Sequence, residues 1–241
     1  MKIMKQINNY KSVIIMKKLI ENIKNFINKY KNQLIIDIFI ISIFVLCFYL
    51  FINTNTKNSN EYNPLYVQTC VHTLKYNAAK LELVNEVDNY IKSIATQSSL
   101  DGYVIVEECM NSGIDICFVL AQGENESHFG TTGLARRTNS VFNVYAFDGH
   151  SHEQISEKGK YKHPNYSVAP YIELLKNDYL VNGKTEYDLM DTEYVNKHGK
   201  RYASSESYEK ALLDKYTKIR ESTKIDSLSQ ETNKYKLFLG L

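Results

Sequence analysis

The sequence predicts a mainly helical α+β domain preceded by one transmembrane helix. Three observations carry that reading. Apolar residues recur at helical spacing along most of the chain after residue 64. One stretch, residues 143–166, has no helical period and holds Gly149, Gly159, Pro164 and several His, the pattern of a loop or a small β lobe. The run LIIDIFIISIFVLCFYLFI, Leu34–Ile52, is strongly apolar and carries one charge, Asp37, near its start.

Residues 1–33 carry eight Lys against one Glu and read as a basic cytoplasmic segment. Lys17 to Lys31 fits a basic amphipathic helix on anionic lipid as well as it fits a solvated polar helix. Residues 34–52 form the expected transmembrane helix, since at about 1.5 Å per residue they span roughly the hydrocarbon core of a bilayer. No small-residue cleavage site follows the run, which disfavours a cleaved signal peptide. The positive-inside rule then sends everything after residue 52 across the membrane, to the periplasm or the cell exterior. Residues 53–64 are a polar linker closed by Pro64.

A helix is expected from Leu65 to about Gln97, stopped by Ser98-Ser99 and Asp101-Gly102. Tyr103–Met110 reads as a short helix or strand. Asp115 is placed to cap a helix that continues to about Ser127. Further helices are expected at Ala169–Leu180, Tyr187–His198 and Ser205–Ile219, the last with Tyr208, Leu212, Leu213 and Tyr216 on one side. Residues 65–220 thus form the domain, and residues 221–241 read as a loosely held polar tail.

The net charge of +2 conceals the basic surplus of the first segment, so the remainder of the chain is mildly acidic. Without a basic patch in the folded body, nucleic acid is excluded as a partner. Of four Cys, Cys47 lies in the expected span, leaving Cys70, Cys109 and Cys117. No CxxC pair suggests zinc, and a disulfide among the three is left open. Asp148, His150 and His152 alternate in a way that can converge on a metal, but on a polar loop they read as unliganded surface. Neither a metal nor a cofactor is expected.

The segment LAQGENESHFGTTGLARRTNSVFN holds two glutamates at the end of the Asp115 helix. At about 100° per residue, Glu124 and Glu126 point roughly 200° apart. Gln122 shares a face with Glu126, and Leu120 and Ala121 share the other with Glu124. Both faces are fairly apolar, so periodicity does not choose between them. Whichever carboxyl looks inward meets partial burial and the negative end of the helix, both of which disfavour the anion and should raise its pKa. A protonated carboxyl is what glycosidic bond cleavage needs as general acid.

Ala121-Gln122-x-x-x-Glu126-Ser127-x-Phe129-Gly130, then Thr132-Gly133-Leu134-Ala135, then Asn139-x-x-Phe142-Asn143-Val144 resembles the glucosaminidase family of bacterial autolysins and flagellar peptidoglycan hydrolases. KYKHPNYSVAPYIELLKNDYL and GKRYASSESYEKALLDKYTKI resemble two later blocks of that family, in the family's order, so the likeness covers about residues 80–220. Phe129 stands where the family commonly has Trp, and Ser204-Ser205-Glu206 replaces Thr-Asp-Pro.

The resemblance implies a lysozyme-like helical fold with a small β lobe across a groove, and hydrolysis of the β-1,4 bond after N-acetylglucosamine in peptidoglycan. It implies Glu126 as the catalytic acid, with Tyr202 assisting at the reacting sugar. Gln122, Asn139 and Phe142 become substrate-binding positions, and Tyr166 is expected to pack beneath the groove. A second carboxylate is sought on the β lobe, where Glu153 is preferred over Glu157 and Asp148. Failing that, the substrate's own N-acetyl group, oriented by Tyr202, supplies the nucleophile. The expected partners are peptidoglycan strands and, through residues 34–52, membrane lipid. Two alternatives stand beside this reading: a non-catalytic peptidoglycan-binding domain that keeps the groove, and a virus-encoded lysis or entry enzyme of the same chemistry.

Overall fold

The structure is a computed structural model that describes Val45 and residues 64–145, 154–205 and 207–241. The chain divides into two compact units, Met1–Asn63 and Pro64–Leu241, and the fold described here is that of the second. The expected span at 34–52 lies outside the described residues, Val45 excepted. Among the described residues, no helix is long and apolar enough to cross a membrane.

Seven α-helices occur among the described residues. They are α1 (Pro64–Ile94), α2 (Gly102–Ser112), α3 (Ile116–Ser127), α4 (Ala135–Thr138), α5 (Val168–Leu174), α6 (Tyr208–Ser222) and α7 (Ile225–Leu239). Short 3-10 turns precede α5, and a wider π turn, Leu175–Tyr179, continues it. No strand occurs among the described residues. Where it is described, the segment expected as a β lobe is a 3-10 turn at Glu157–Gly159 followed by Pro164–Ser167. There Gly159, His163 and Pro164 mark turns.

The helix signals act where the sequence places them. Asp101 accepts from the backbone N–H of Tyr103 at 3.0 Å and starts α2, while Gly113, at φ 77°, ends it in the left-handed region. Asp115 accepts from Cys117 N–H at 2.7 Å and starts α3. That helix is the centre of the domain: Ile116 through Glu124 are all buried. It packs on α6, while α2 and α7 both pack on α1. The inward face of α1 carries Leu83, Val84, Val87 and Ile91, each nearly or fully buried.

Two expectations are corrected. Residues 187–198 are no helix beyond the turn Asp188–Met190. Asp188 accepts from the N–H of Thr185 at 2.7 Å, and Asn196 accepts from the N–H groups of His198 and Lys200 at 2.9 and 3.0 Å. These side chains satisfy the local backbone in turns and compete with helix. The expected polar tail is instead α7, held along α1 by Ile225, Leu228 and Thr232, all buried.

Candidate active site

The end of α3 is shaped by three successive residues with positive φ, His128 (46°), Phe129 (54°) and Gly130 (81°). His128 and Phe129 donate their N–H groups back to the carbonyls of Glu124 and Gly123 at 3.1 and 3.0 Å, closing the helix. This turn folds the Phe129 ring against the helix beside Gly123. A Cβ on Gly123 would sit 3.1 Å from Phe129 and 3.2 Å from Phe142, so the two buried rings close over a bare backbone. Ser127 ties the turn to the next segment, donating to Val141 O at 2.6 Å and accepting from Gly130 N–H at 2.8 Å.

These restraints set Glu126 in the wall of a cleft of about 710 Å³. Among the described residues lining it, Glu126 is the one carboxyl, facing Phe142, Asn143, Tyr179, Tyr202 and Tyr208. Tyr208, at the start of α6, donates its hydroxyl to Glu126 Oε1 at 2.6 Å. Asn143 donates from Nδ2 to Glu126 Oε2 at 3.1 Å and to the Glu126 carbonyl at 3.0 Å. Both carboxyl oxygens are thus held from opposite elements. Behind them runs a buried chain: Tyr171 donates to Gln122 Oε1, and Gln122 Nε2 donates to Tyr208 Oη at 3.1 Å. Gln122, one helical turn before Glu126, is fully buried and orients the group that touches the acid.

Tyrosines dominate the electrostatics. Burial pushes the Tyr208 phenol well above its ordinary value, and the neighbouring Glu126 charge adds to the shift. The same two causes, in the same order, raise Tyr202. Burial, with Tyr202 next, raises Tyr171. All three therefore stay protonated donors through the neutral range. Tyr202 stacks on Tyr208 with centroids 5.7 Å apart, and its hydroxyl donates to Phe142 O at 3.3 Å. Phe142 in turn stacks on Tyr171 at 3.8 Å.

Glu124 has the other fate. It is the more buried of the pair, only 8% exposed, yet Tyr90 donates to it and Lys215 Nζ lies 3.4 Å away. It joins α1, α3 and α6 and does not line the cleft.

The remaining expected site residues are dispersed. Tyr202 and Phe142 line the cleft. Gln122 lies beneath it. Asn139 adopts φ 56° at the end of α4 and donates its side-chain amide to Tyr161 O at 2.8 Å, outside the cleft wall. Tyr166 does not pack beneath the groove: it is 65% exposed, its ring edge-on to His163. It stands in a 3-10 turn whose buried residues are Pro164 and Ser167. Glu153 and Asp148 lie outside the described residues. Glu157 is exposed and paired with Lys160 at 3.0 Å.

Tyr208 and Asn143, the two groups that hold the acid, were not singled out as site residues by sequence. Tyr208 reads only as one of an apolar row on the last helix, and Asn143 only as part of the Phe142-Asn143 motif.

A mainly helical domain with one carboxyl at the end of its central helix, opening into an aromatic-walled cleft, is consistent with a lysozyme-like helical domain. Residues 103–221 match the family model for the glucosaminidase domain, described as mannosyl-glycoprotein endo-beta-N-acetylglucosaminidase. Residues 103–221 are thus a domain of the glucosaminidase family, which supports a glycoside hydrolase and suggests peptidoglycan as substrate. The match begins within α2 and ends within α6, so α1 and α7 lie outside it. No curated protein and no solved structure matches the chain.

Proposed function

We propose that the chain is a membrane-anchored peptidoglycan hydrolase that cleaves the β-1,4 bond after N-acetylglucosamine, with Glu126 as general acid. The observation that carries this reading is the placement of Glu126 as the one carboxyl among the described cleft residues, fixed by Tyr208 and Asn143. As the proton passes to the glycosidic oxygen, the two donors stabilise the carboxylate that remains.

The nucleophile is Glu153 as second carboxylate or, failing it, the substrate's own N-acetyl oxygen. Attack by that oxygen on the anomeric carbon, as the leaving sugar departs, forms a cyclic intermediate that water opens. Tyr202, neutral and at the cleft, is the donor assigned to that group. Support for the anchor comes from the apolar run at 34–52 and the lysines before it.

The test is digestion of purified peptidoglycan, with mass spectrometry of the released ends. Reducing-end N-acetylglucosamine is the expected product. New reducing ends on N-acetylmuramic acid keep the hydrolase and overturn the bond assignment. No release, with the protein pelleting on the wall, replaces the enzyme by a binding module.

A further inference from the structure

The long helix α1 has two apolar faces, and the domain uses only one. Leu83, Val84, Val87 and Ile91 turn inward and are buried. On the far side, Val67, Val71, Leu74, Ala78, Leu81 and Asn85 recur at alternating steps of four and three residues. At about 100° per residue, this stripe is centred roughly 180° from the packed face. All six are exposed, Leu74 at 60% and Leu81 at 48%. The far ends of α1 and α7 meet on the inward side, where His72 stacks on Phe238 with centroids 3.7 Å apart, so α7 leaves the stripe uncovered.

We propose that this stripe is the seam of a parallel two-stranded coiled coil with α1 of a second copy of the chain. Its alternating steps of four and three are those of the a and d positions of a coiled coil. In heptad terms Val67, Leu74 and Leu81 occupy d, while Val71, Ala78 and Asn85 occupy a. Val at a with Leu at d favours two parallel strands, and a single Asn at a fixes register.

The flanking positions suit an identical partner. In a parallel pair Lys75 faces Cys70 of the other copy and Glu82 faces Asn77, so no like charges meet. The seam runs for about 27 Å at 1.5 Å per residue, short for a free coiled coil. Confinement in one bilayer raises the effective concentration of two copies and sets their α1 helices side by side in the same direction. That orientation rests on the proposed anchor at 34–52, whereas the seam does not. The stripe lies outside residues 103–221, the part that the family model matches.

The test uses the full chain carrying Cys47→Ser and Cys70→Ser, incorporated into anionic phospholipid vesicles and mildly oxidised. Leu74→Cys is expected to give a disulfide-linked dimer, and so is Leu81→Cys. Thr69→Cys, exposed on another side of α1, is expected to stay monomeric. Leu74→Lys/Leu81→Lys, added to a Val71→Cys reporter in the same background, alters only exposed positions and is expected to lower dimer yield at least tenfold. Its helical circular dichroism and its peptidoglycan release should be unchanged.

Equal crosslinking from Thr69→Cys, or dimer insensitive to the two lysines, overturns the seam. Crosslinking only between Leu74→Cys and Leu81→Cys copies overturns the parallel arrangement. If the chain stays soluble beside the vesicles, the anchor fails, and the same crosslinks read on the soluble fraction still decide the seam.

Discussion

Arg201 sits next to Tyr202 and ties the cleft-lining segment to α6. Its Nε donates to Glu209 Oε1 at 3.0 Å, a second guanidinium nitrogen donates to Oε2, and the same group reaches Ser205 O at 2.9 Å. The Glu209 side chain is 3% exposed and that of Arg201 27%. Arg201→Met leaves a buried carboxylate without its partner, a change that costs about 3–5 kcal/mol for fully enclosed pairs. Water reaches the arginine side, so the expected loss here is about 2–3 kcal/mol. For a domain of this size that lowers Tm by roughly 5–10 °C.

The double variant Arg201→Met/Glu209→Met removes the stranded charge and should be more stable than the single, because two apolar groups can pack where one buried anion could not. Hydrolysis should not recover with it, since the segment bearing Tyr202 has lost its tie to α6. Thermal unfolding by circular dichroism reads the first effect and clearing of a peptidoglycan suspension the second. A single variant within about 0.5 kcal/mol of the parent would refute the reasoning, as would a double variant no more stable than the single.

Two further outcomes follow from the burial pattern. Tyr171, Tyr202 and Tyr208 have folded pKa values raised above the ordinary 10.0, chiefly by burial. Above that value the unfolded chain releases protons that the folded domain keeps, so stability is complete below pH 10 and falls as pH rises beyond it. Denaturant midpoints flat from pH 9 to pH 11 would contradict this. Cys109 and Cys117 are buried with thiols pushed up, first by burial and then by Asp115. In a Cys47→Ser chain, a thiol reagent should label half-buried Cys70 alone until denaturant is added, and rapid native labelling of a second site would be the contrary result.

Much of the helical frame was legible because its signals are local. Asp115 before an apolar run and Ser98 through Gly102 after another mark boundaries through backbone capping, which needs no tertiary context. The π turn after α5 and the turns at 187–198 were not legible, since Asp188 and Asn196 act by hydrogen bonds that a count of apolar residues does not register. For α7, average polarity misled: IDSLSQETNKYKLFL is polar overall, but Ile225, Leu228 and Thr232 fall on one face and meet α1.

At the site, the four-residue step from Gln122 to Glu126 placed both on one face of α3, and the structure joins them through Tyr208. The choice between Glu124 and Glu126 was not available from periodicity, because a central helix is apolar all round. Burial alone would have favoured Glu124, whose Lys215 and Tyr90 partners come from helices far away in sequence. The resemblance to the glucosaminidase pattern pointed to Glu126, the carboxyl that the fold opens to the cleft.

The contrast between these two glutamates tests the central claim most directly. The rate of reducing-end release from peptidoglycan should be compared for the parent, Glu126→Gln and Glu124→Gln, each first shown to be folded. Loss of a general acid should lower the rate of Glu126→Gln by about 100-fold to 10,000-fold. Glu124→Gln keeps an acceptor for Tyr90 and should retain turnover with a reduced Tm. Parent-like release from Glu126→Gln, or its abolition in Glu124→Gln alone, would contradict the account.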